Sequence, residues 1–308
     1  MDVPRYLERI RYPGDIRVDY HTLRDLTLAH QYAVPMENFD IHLGIPVRLT
    51  VNRFYDKIVE RHRGGGCYEL NGLFGALLRE VGFSVDLLSA QVIRPHRVGP
   101  EFDHLALRVT LDNRAYLVDV GFGDGIREPM EMLAGTEQRF DNRVYRLGDG
   151  AVTSPRQAVP GGLAPGTLRL EIHQQGEFDK GCLLSLVPRR LDQFEAARHE
   201  HHTDPQSWFV CARVATLATP TGRLTLLDNV FKVRENGELT VIRVRNDAHY
   251  MAILRDRFGL YLPRVPRTKG NRLSMRIRRQ GQIWRHRANK LVAMTGRAIA
   301  SFTNPPAK

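Results

Sequence analysis

Three residues, Cys67, His104 and Asp119, are of the types and in the order that could serve as nucleophile, base and orienter. A thiol attacks as its thiolate; a histidine within reach can take the proton, and a carboxylate on the other ring nitrogen fixes the tautomer and steadies the imidazolium. Cys67 closes the run Arg63-Gly64-Gly65-Gly66-Cys67. Behind it Leu70, Leu73, Phe74, Leu77 and Leu78 fall at i, i+3, i+4, i+7 and i+8, which predicts a helix starting at the cysteine and stopping at Gly82. A thiol in the first helical turn feels the positive end of the macrodipole, and its own backbone N–H is the expected oxyanion donor. The glycines are expected to bring backbone N–H groups close to a ligand. Each residue alone has a plainer reading: a small core cysteine, a satisfied strand histidine, an aspartate that ends its strand.

The elements that must position these groups change character near Ser84. Before it the chain reads as helical: His21 to Ala33 until Pro35 ends it, then Arg53 to Arg61 with Asn52 as a possible cap, then the helix after Cys67. Pro35-Met36-Glu37-Asn38-Phe39-Asp40 reads as a loop. After Ser84 the apolar period becomes two. Leu105, Leu107, Val109 and Leu111 alternate with His104, Ala106, Arg108 and Thr110, and Tyr116, Val118 and Val120 follow Asp112-Asn113. A two-residue turn at Asp112-Asn113 sets Leu111 opposite Arg114 and Asp119 opposite Ala106, on the strand face of His104, whereas a three-residue turn would put His104 and Asp119 on opposite faces. Further strands are predicted at Thr167 to His173 and Cys182 to Val187. A second β-rich stretch runs from Ser207 to Val244, and Ala248 to Phe258 reads as a helix capped by Asn246 or Asp247 and closed by Gly259.

Charge and composition exclude several classes. Of 308 residues, 42% are apolar, but no run of 18 or more apolar residues occurs, and the N-terminus lacks the order of a signal peptide, so a soluble, cytoplasmic protein is expected. Cys67, Cys182 and Cys211 are far apart, which fits neither a disulfide framework nor a zinc knuckle and suits a reducing compartment. The net charge is +11, yet residues 263–308 hold 12 of the 45 Lys and Arg and none of the 34 Asp and Glu, leaving 33 cations against 34 carboxylates in the body. That is a basic appendage on a neutral domain and not a nucleic-acid-binding fold, so no nucleic acid partner is expected; the tail, with a possible helix from Arg276 to Val292, would meet anionic surfaces if it binds anything. His199-Glu200-His201-His202 has no zinc-helix spacing and reads as a solvated loop, so no metal is expected.

The wording around the three residues resembles the arylamine N-acetyltransferase family. The resemblance rests on Arg63-Gly-Gly-Gly-Cys67-Tyr-Glu69-Leu-Asn71-Gly and on Tyr116-Leu-Val-Asp119-Val-Gly121-Phe122-Gly123. Pro35-Met36-Glu37-Asn38-Phe39, Ser207-Trp208-Phe209, Thr219-Pro220-Thr221-Gly222-Arg223 and Phe258-Gly259-Leu260 agree with it, and it spans residues 1 to about 262 in order. It implies an α+β fold with a cysteine-protease-like core: a helical bundle carrying Cys67 (1–83), a β-barrel carrying His104 and Asp119 (84–190) and an α/β lid (191–262), followed by the basic extension 263–308. It also implies that Cys67, His104 and Asp119 form the catalytic triad. The implied activity is ping-pong acetyl transfer from acetyl-CoA to arylamines or arylhydrazines, with O-acetylation of N-hydroxyarylamines, as in the metabolism of foreign aromatic compounds. Phe122, Met36, Phe39 and Gly66 would line the acceptor pocket, and Gly121 and Gly123 would form the tight loop that meets the acyl donor. Glu37 and Arg63 read as an internal ion pair shaping the site.

This chain departs from the family's habit at two positions: Gly66 stands where an aromatic is common, and Met36 where phenylalanine is. An amide synthase of the same fold using a carrier-bound acyl chain and a cysteine hydrolase using water as acceptor share the triad. A basic binding protein with a vestigial triad is the reading from another class.

Overall fold

Capped starts and helical spacing build the first part of the chain, shown here by a computed structural model that describes residues 1–94, 97–140, 143–149, 166–174 and 176–268. Asp2 accepts from the Arg5 N–H to start α1 (Val3–Arg9), and Asp19 accepts from the Thr22 N–H at 2.7 Å to start α2 (Tyr20–Ala33). The stretch expected as a loop contains two elements instead: β1 (Met36–Glu37) and α3 (Phe39–Leu43), which ends on Gly44 at φ 78°. Next come α4 (Val51–Tyr55), which runs on into a π-helical turn over Asp56–Glu60, and α5 (Cys67–Glu80). The helix expected over Arg53 to Arg61 is therefore two pieces starting at Val51, and Asn52 lies inside it rather than capping it.

The period-two region forms a nearly closed, barrel-like antiparallel sheet. Its strands are β2 (Ser84–Arg94), β3 (Arg97–Val98), β4 (His104–Leu111), β5 (Arg114–Val118), β6 (Met130–Glu131), β7 (Glu137–Phe140), β8 (Arg143–Asp149), β9 (Thr167–Gln174) and β10 (Glu177–Arg189). The order is β6-β5-β4-β2-β10-β9-β8-β7, with β3 on β2. The β4–β5 turn has two residues: Leu111 pairs with Arg114, and both Asp112 and Asn113 take left-handed backbone (φ 49° and 59°), which asparagine and aspartate tolerate better than most residues.

The remainder comprises α6 (Glu195–Thr203), α7 (Trp208–Cys211), β11 (Val214–Thr219), β12 (Gly222–Leu227), β13 (Val230–Glu235), β14 (Glu238–Arg243) and α8 (Asp247–Phe258). Asn246 caps α8 by accepting from the His249 N–H, and Gly259 closes it at φ 64°. These strands make a second sheet, β1-β11-β12-β13-β14, in which Met36 pairs with Thr216 and Glu37 with Ala215. Residues 36–43 thus leave the helical segment: Phe39 and Leu43 pack with Leu224, Phe231 and Leu254 in the core of the second sheet. Another core joins α5, through Leu70, Leu73, Phe74 and Leu77, to Leu105, Leu107 and Val109 of β4. Of the basic extension, residues 263–268 pack back on the body, where Pro266 accepts from Arg213 at 2.7 Å and Arg264 donates to Leu43 at the end of α3. The remainder, including the helix expected over Arg276 to Val292, lies outside the described residues.

Candidate active site

The glycine run packs against the chain before it. A Cβ on Gly64 would sit 2.0 Å from the Pro35 carbonyl oxygen, and one on Gly65 would strike Glu69; the Glu37 N–H donates to the Gly65 carbonyl at 2.9 Å. The first two glycines therefore serve close packing of backbone, not approach to a ligand. Gly66 differs: an added Cβ would meet only the Glu69 carboxylate, at 3.9 Å. Glu69 reaches back to accept the Gly66 N–H at 2.9 Å and so closes the start of α5.

Beneath this loop lies a chain of buried charges. Arg63 donates to Glu37 at 2.6 Å and to Asp40 at 2.8 Å, and Lys57 reaches Asp40 at 2.8 Å and Glu69 at 2.9 Å. Burial opposes the charge on Lys57, yet Glu69, Glu37 and Asp40 outweigh it and hold the ammonium well above its ordinary value. Burial pushes the Glu69 carboxyl up in turn, with Lys57 pulling against it.

His104 opens β4, and Asp119 follows the end of β5 on the same face. His104 Nε2 lies 2.7 Å from Asp119 Oδ2, and both side chains are buried. The other Asp119 oxygen accepts three hydrogen bonds, from Asn71 Nδ2 at 2.8 Å, the Gly121 N–H at 2.9 Å and the Phe122 N–H at 3.0 Å. Burial disfavours a charged imidazole, but the Asp119 carboxylate and its hydrogen bond, joined by a hydrogen bond to Cys67, raise His104 to about 10. The structure therefore brings Cys67, His104 and Asp119 into one connected set. Cys67 stands at the first position of α5, where backbone N–H groups lack intrahelical acceptors.

The other expected site residues divide. Phe122 meets the His104 ring edge to face at 5.1 Å, and it lines a cavity with Met36, Gly123 and Asp119. A second cavity is lined by Gly66, Cys67, Tyr68, His201, His202 and Phe209. Phe39 is fully buried in the core of the second sheet and is not brought to either cavity, because its ring joins Ala215, Leu224 and Phe231 there. Gly121 does not present its N–H to a ligand, since that group is spent on Asp119; a Cβ there would lie 2.8 Å from the Cys67 Cα. Its role is to let the loop press against α5. Gly123, at φ 81°, stays at the cavity wall.

Four residues at the site escape sequence reading. Asn71 is one helical turn beyond Cys67 and fully buried; besides Asp119 it donates to the Leu105 carbonyl at 2.7 Å and accepts the Val120 N–H at 2.9 Å. Its place in the motif that follows Cys67 was a signal, but one that named no partner. Asp103, Tyr68 and His201 form a clasp: His201 Nε2 lies 2.8 Å from Asp103 Oδ1, its Nδ1 lies 3.3 Å from the Tyr68 hydroxyl, and that hydroxyl donates to the Phe102 carbonyl at 2.8 Å. The stretch His199 to His202 is accordingly not a solvated loop. It belongs to α6, with His201 stacked on Tyr68, and burial followed by the charges of Arg198, His201 and Lys57 presses His202 down to about 3. Among the described residues no three His, Cys, Asp or Glu are grouped to hold a metal ion. No helix among them is long and apolar enough to cross a membrane.

Residues 19–266 match the family model described as N-acetyltransferase. The arylamine N-acetyltransferase of Mycolicibacterium smegmatis is 33% identical over 273 residues, 85% of this chain and 93% of that protein. The arylamine N-acetyltransferase, pineal gland isozyme NAT-3, of Gallus gallus is 32% identical over 280 residues, 85% of this chain and 95% of that protein. Among solved structures, the Mycobacterium marinum arylamine N-acetyltransferase in complex with CoA superposes with a TM-score of 0.74 at 31% identity, covering 84% of this chain and 92% of that one.

Proposed function

The chain belongs to the arylamine N-acetyltransferase family, and on that premise we propose that it carries an acetyl group from acetyl-CoA, through Cys67, to an aromatic amine or hydrazine. It is an acyltransferase; the finer assignment of steps to residues is our reading. The observation that carries it is the buried 2.7 Å contact between His104 and Asp119, with Cys67 close enough to help raise the His104 imidazole.

In the first half-reaction the Cys67 thiolate attacks the thioester carbonyl carbon, and the oxyanion is met by the Cys67 N–H at the start of α5. The intermediate collapses by breaking the bond to the CoA sulfur, which leaves with the proton held on His104. In the second, the acceptor nitrogen attacks the acetyl-cysteine. His104 takes the nitrogen's proton, the bond to Cys67 breaks, and the thiolate returns. A hydroxylamine oxygen could be acetylated by the same route. The first step exchanges one thioester for another and is nearly level in energy; the second makes an amide and drives the cycle. A helix-borne thiolate facing a sheet-borne histidine and carboxylate is the cysteine-protease-like arrangement we infer here. Met36, Gly66 and Phe122 are assigned to the acceptor side, and the Glu37–Arg63 pair to holding the loop in shape. The three unpaired thiols, Cys67, Cys182 and Cys211, support a reducing, cytoplasmic setting.

The test is incubation with acetyl-CoA alone, followed by intact-mass and peptide mapping, then addition of an arylamine. A single acetyl group on Cys67 that the amine discharges much faster than water, with parallel double-reciprocal lines, is the expected result. Absence of the adduct, or discharge to water as fast as to amine, would overturn the proposal.

A further inference from the structure

A basic cavity lies between the end of the barrel and the second sheet, apart from Cys67. It encloses about 250 Å³, with Arg127, Arg143 and Tyr145 on one side and Arg223, Lys232 and Arg234 on the other. The carboxylate that lines it is Asp124, and that single charge is divided among three cations: Arg143 at 2.6 Å, Arg223 at 3.2 Å and Lys180 at 3.4 Å. Burial favours the neutral acid, but Lys180, Arg223 and Arg143 together hold Asp124 far below the usual carboxylate range. Arg127 feels Asp124 only without contact, and neither it nor Lys232 nor Arg234 has an ion pair among the described residues.

Arg127 is the informative member. It is 3% exposed, donates through Nη2 to the Gly222 carbonyl at 2.5 Å and lies 4.4 Å over the Phe140 ring, yet its Nη1 has no hydrogen-bond partner. Burying a guanidinium with no carboxylate in contact is costly, and an unmade bond from a buried charged donor adds to that cost. The donor lines a cavity with room for an acceptor. Guanidinium forks match phosphate oxygens in geometry and charge, and Phe140 and Tyr145 add aromatic rings for a planar group to stack on. Lys232 on β13 is exposed, so the cavity can be entered from solvent.

We propose that this cavity is a phosphate-binding site for a nucleotide-type ligand, held by Arg127, Lys232 and Arg234. Arg223 lines both this cavity and the one containing Asp119 and Phe122, which connects the two along residues 119–127. The phosphate has two possible sources, the phosphorylated adenosine end of coenzyme A, which rests on the transferase reading, or a free nucleotide, which does not.

The experiment compares the full-length protein with the double variant Lys232→Ala/Arg234→Ala by titration calorimetry, using 3′,5′-ADP, CoA and dephospho-CoA. Lys232 is exposed and Arg234 half-buried on β13, so folding of the variant is checked by far-UV circular dichroism and melting. The site predicts that 3′,5′-ADP binds the parent with an affinity that falls steeply with salt, and that the double variant binds it at least tenfold more weakly. If CoA supplies the phosphate, the parent prefers CoA to dephospho-CoA by tenfold or more, 3′,5′-ADP competes with CoA, and the preference collapses in the variant. If a free nucleotide does, 3′,5′-ADP affinity still drops in the variant while CoA binding is unchanged and uncompeted. A folded double variant that binds all three probes as the parent does overturns the site. Acetylation of Cys67 by saturating acetyl-CoA, measured on the same variant, reports separately on the transferase reading.

Discussion

Asn71 Nδ2 donates to Asp119 Oδ1 at 2.8 Å, tying the helix that begins with Cys67 to the hairpin that carries His104. Two elements far apart in the chain are thereby held in register by one buried amide. It satisfies the carboxylate oxygen that His104 does not use, so the aspartate is fixed in position before any substrate arrives.

Asn71→Ala removes hydrogen bonds to Asp119, Leu105 and Val120 at once. Each buried group left unsatisfied costs about 1–3 kcal/mol. A lowered melting temperature is expected, together with a fall of ten- to a hundredfold in the single-turnover rate of Cys67 acetylation. A variant that melts lower but acetylates at the parent rate would show that Asn71 supports the fold alone.

His104 supplies a pH signature. Its folded value is raised from 6.5 to about 10, so the stabilisation from its charged pairing is complete below pH 6.5 and is lost as the pH climbs from there through 10. His104→Gln should therefore be destabilised relative to the parent most strongly near pH 6.5, with the gap narrowing toward pH 10. Urea midpoints of the two proteins across that range measure it, and a gap that stays constant would contradict the assignment.

Gly66 and Gly121 should respond oppositely to added bulk. Gly66 faces open space, so Gly66→Phe is expected to leave melting and Cys67 acetylation near parent values while cutting kcat/KM for two-ring amines at least tenfold more than for aniline. Gly121→Ala forces a methyl group to within 2.8 Å of the Cys67 Cα. Overpacking of that kind costs about 1–3 kcal/mol, and here it would displace the nucleophile itself. Melting curves and acceptor series on the two variants decide the matter.

His201→Leu should loosen the hold of α6 on the site. The side chain joins α6 to Asp103 and Tyr68, the immediate chain neighbours of His104 and Cys67. Its loss leaves Asp103 bound to Arg94 on one oxygen and without His201 on the other, a defect worth about 1–3 kcal/mol. The expected readout is faster alkylation of Cys67 by a bulky maleimide than by iodoacetamide, relative to the parent. Equal acceleration by both reagents would point to general destabilisation instead.

Local order made some of this readable from residues alone. The apolar stripe behind Cys67 marked the start of α5, and alternation on either side of Asp112-Asn113 marked the hairpin, because strand and helix periods are local; that the turn has two residues, which puts His104 and Asp119 on one face, is seen in the structure. What lies outside local periodicity was decided by tertiary packing. Met36 and Glu37 became strand only because β11, some 180 residues later, pairs with them, and their α3 neighbour Phe39 went to the far core in consequence. Gly64 and Gly121 proved to be contact points between backbones, which no spacing rule reveals. His201 reached Asp103 across 98 residues, and Arg127, Lys232 and Arg234 were gathered around one cavity from separate strands and loops. Patterns of apolar residues encode which face of an element is buried; which other element buries it, and which polar groups that union brings together, is settled by the packing of the whole chain.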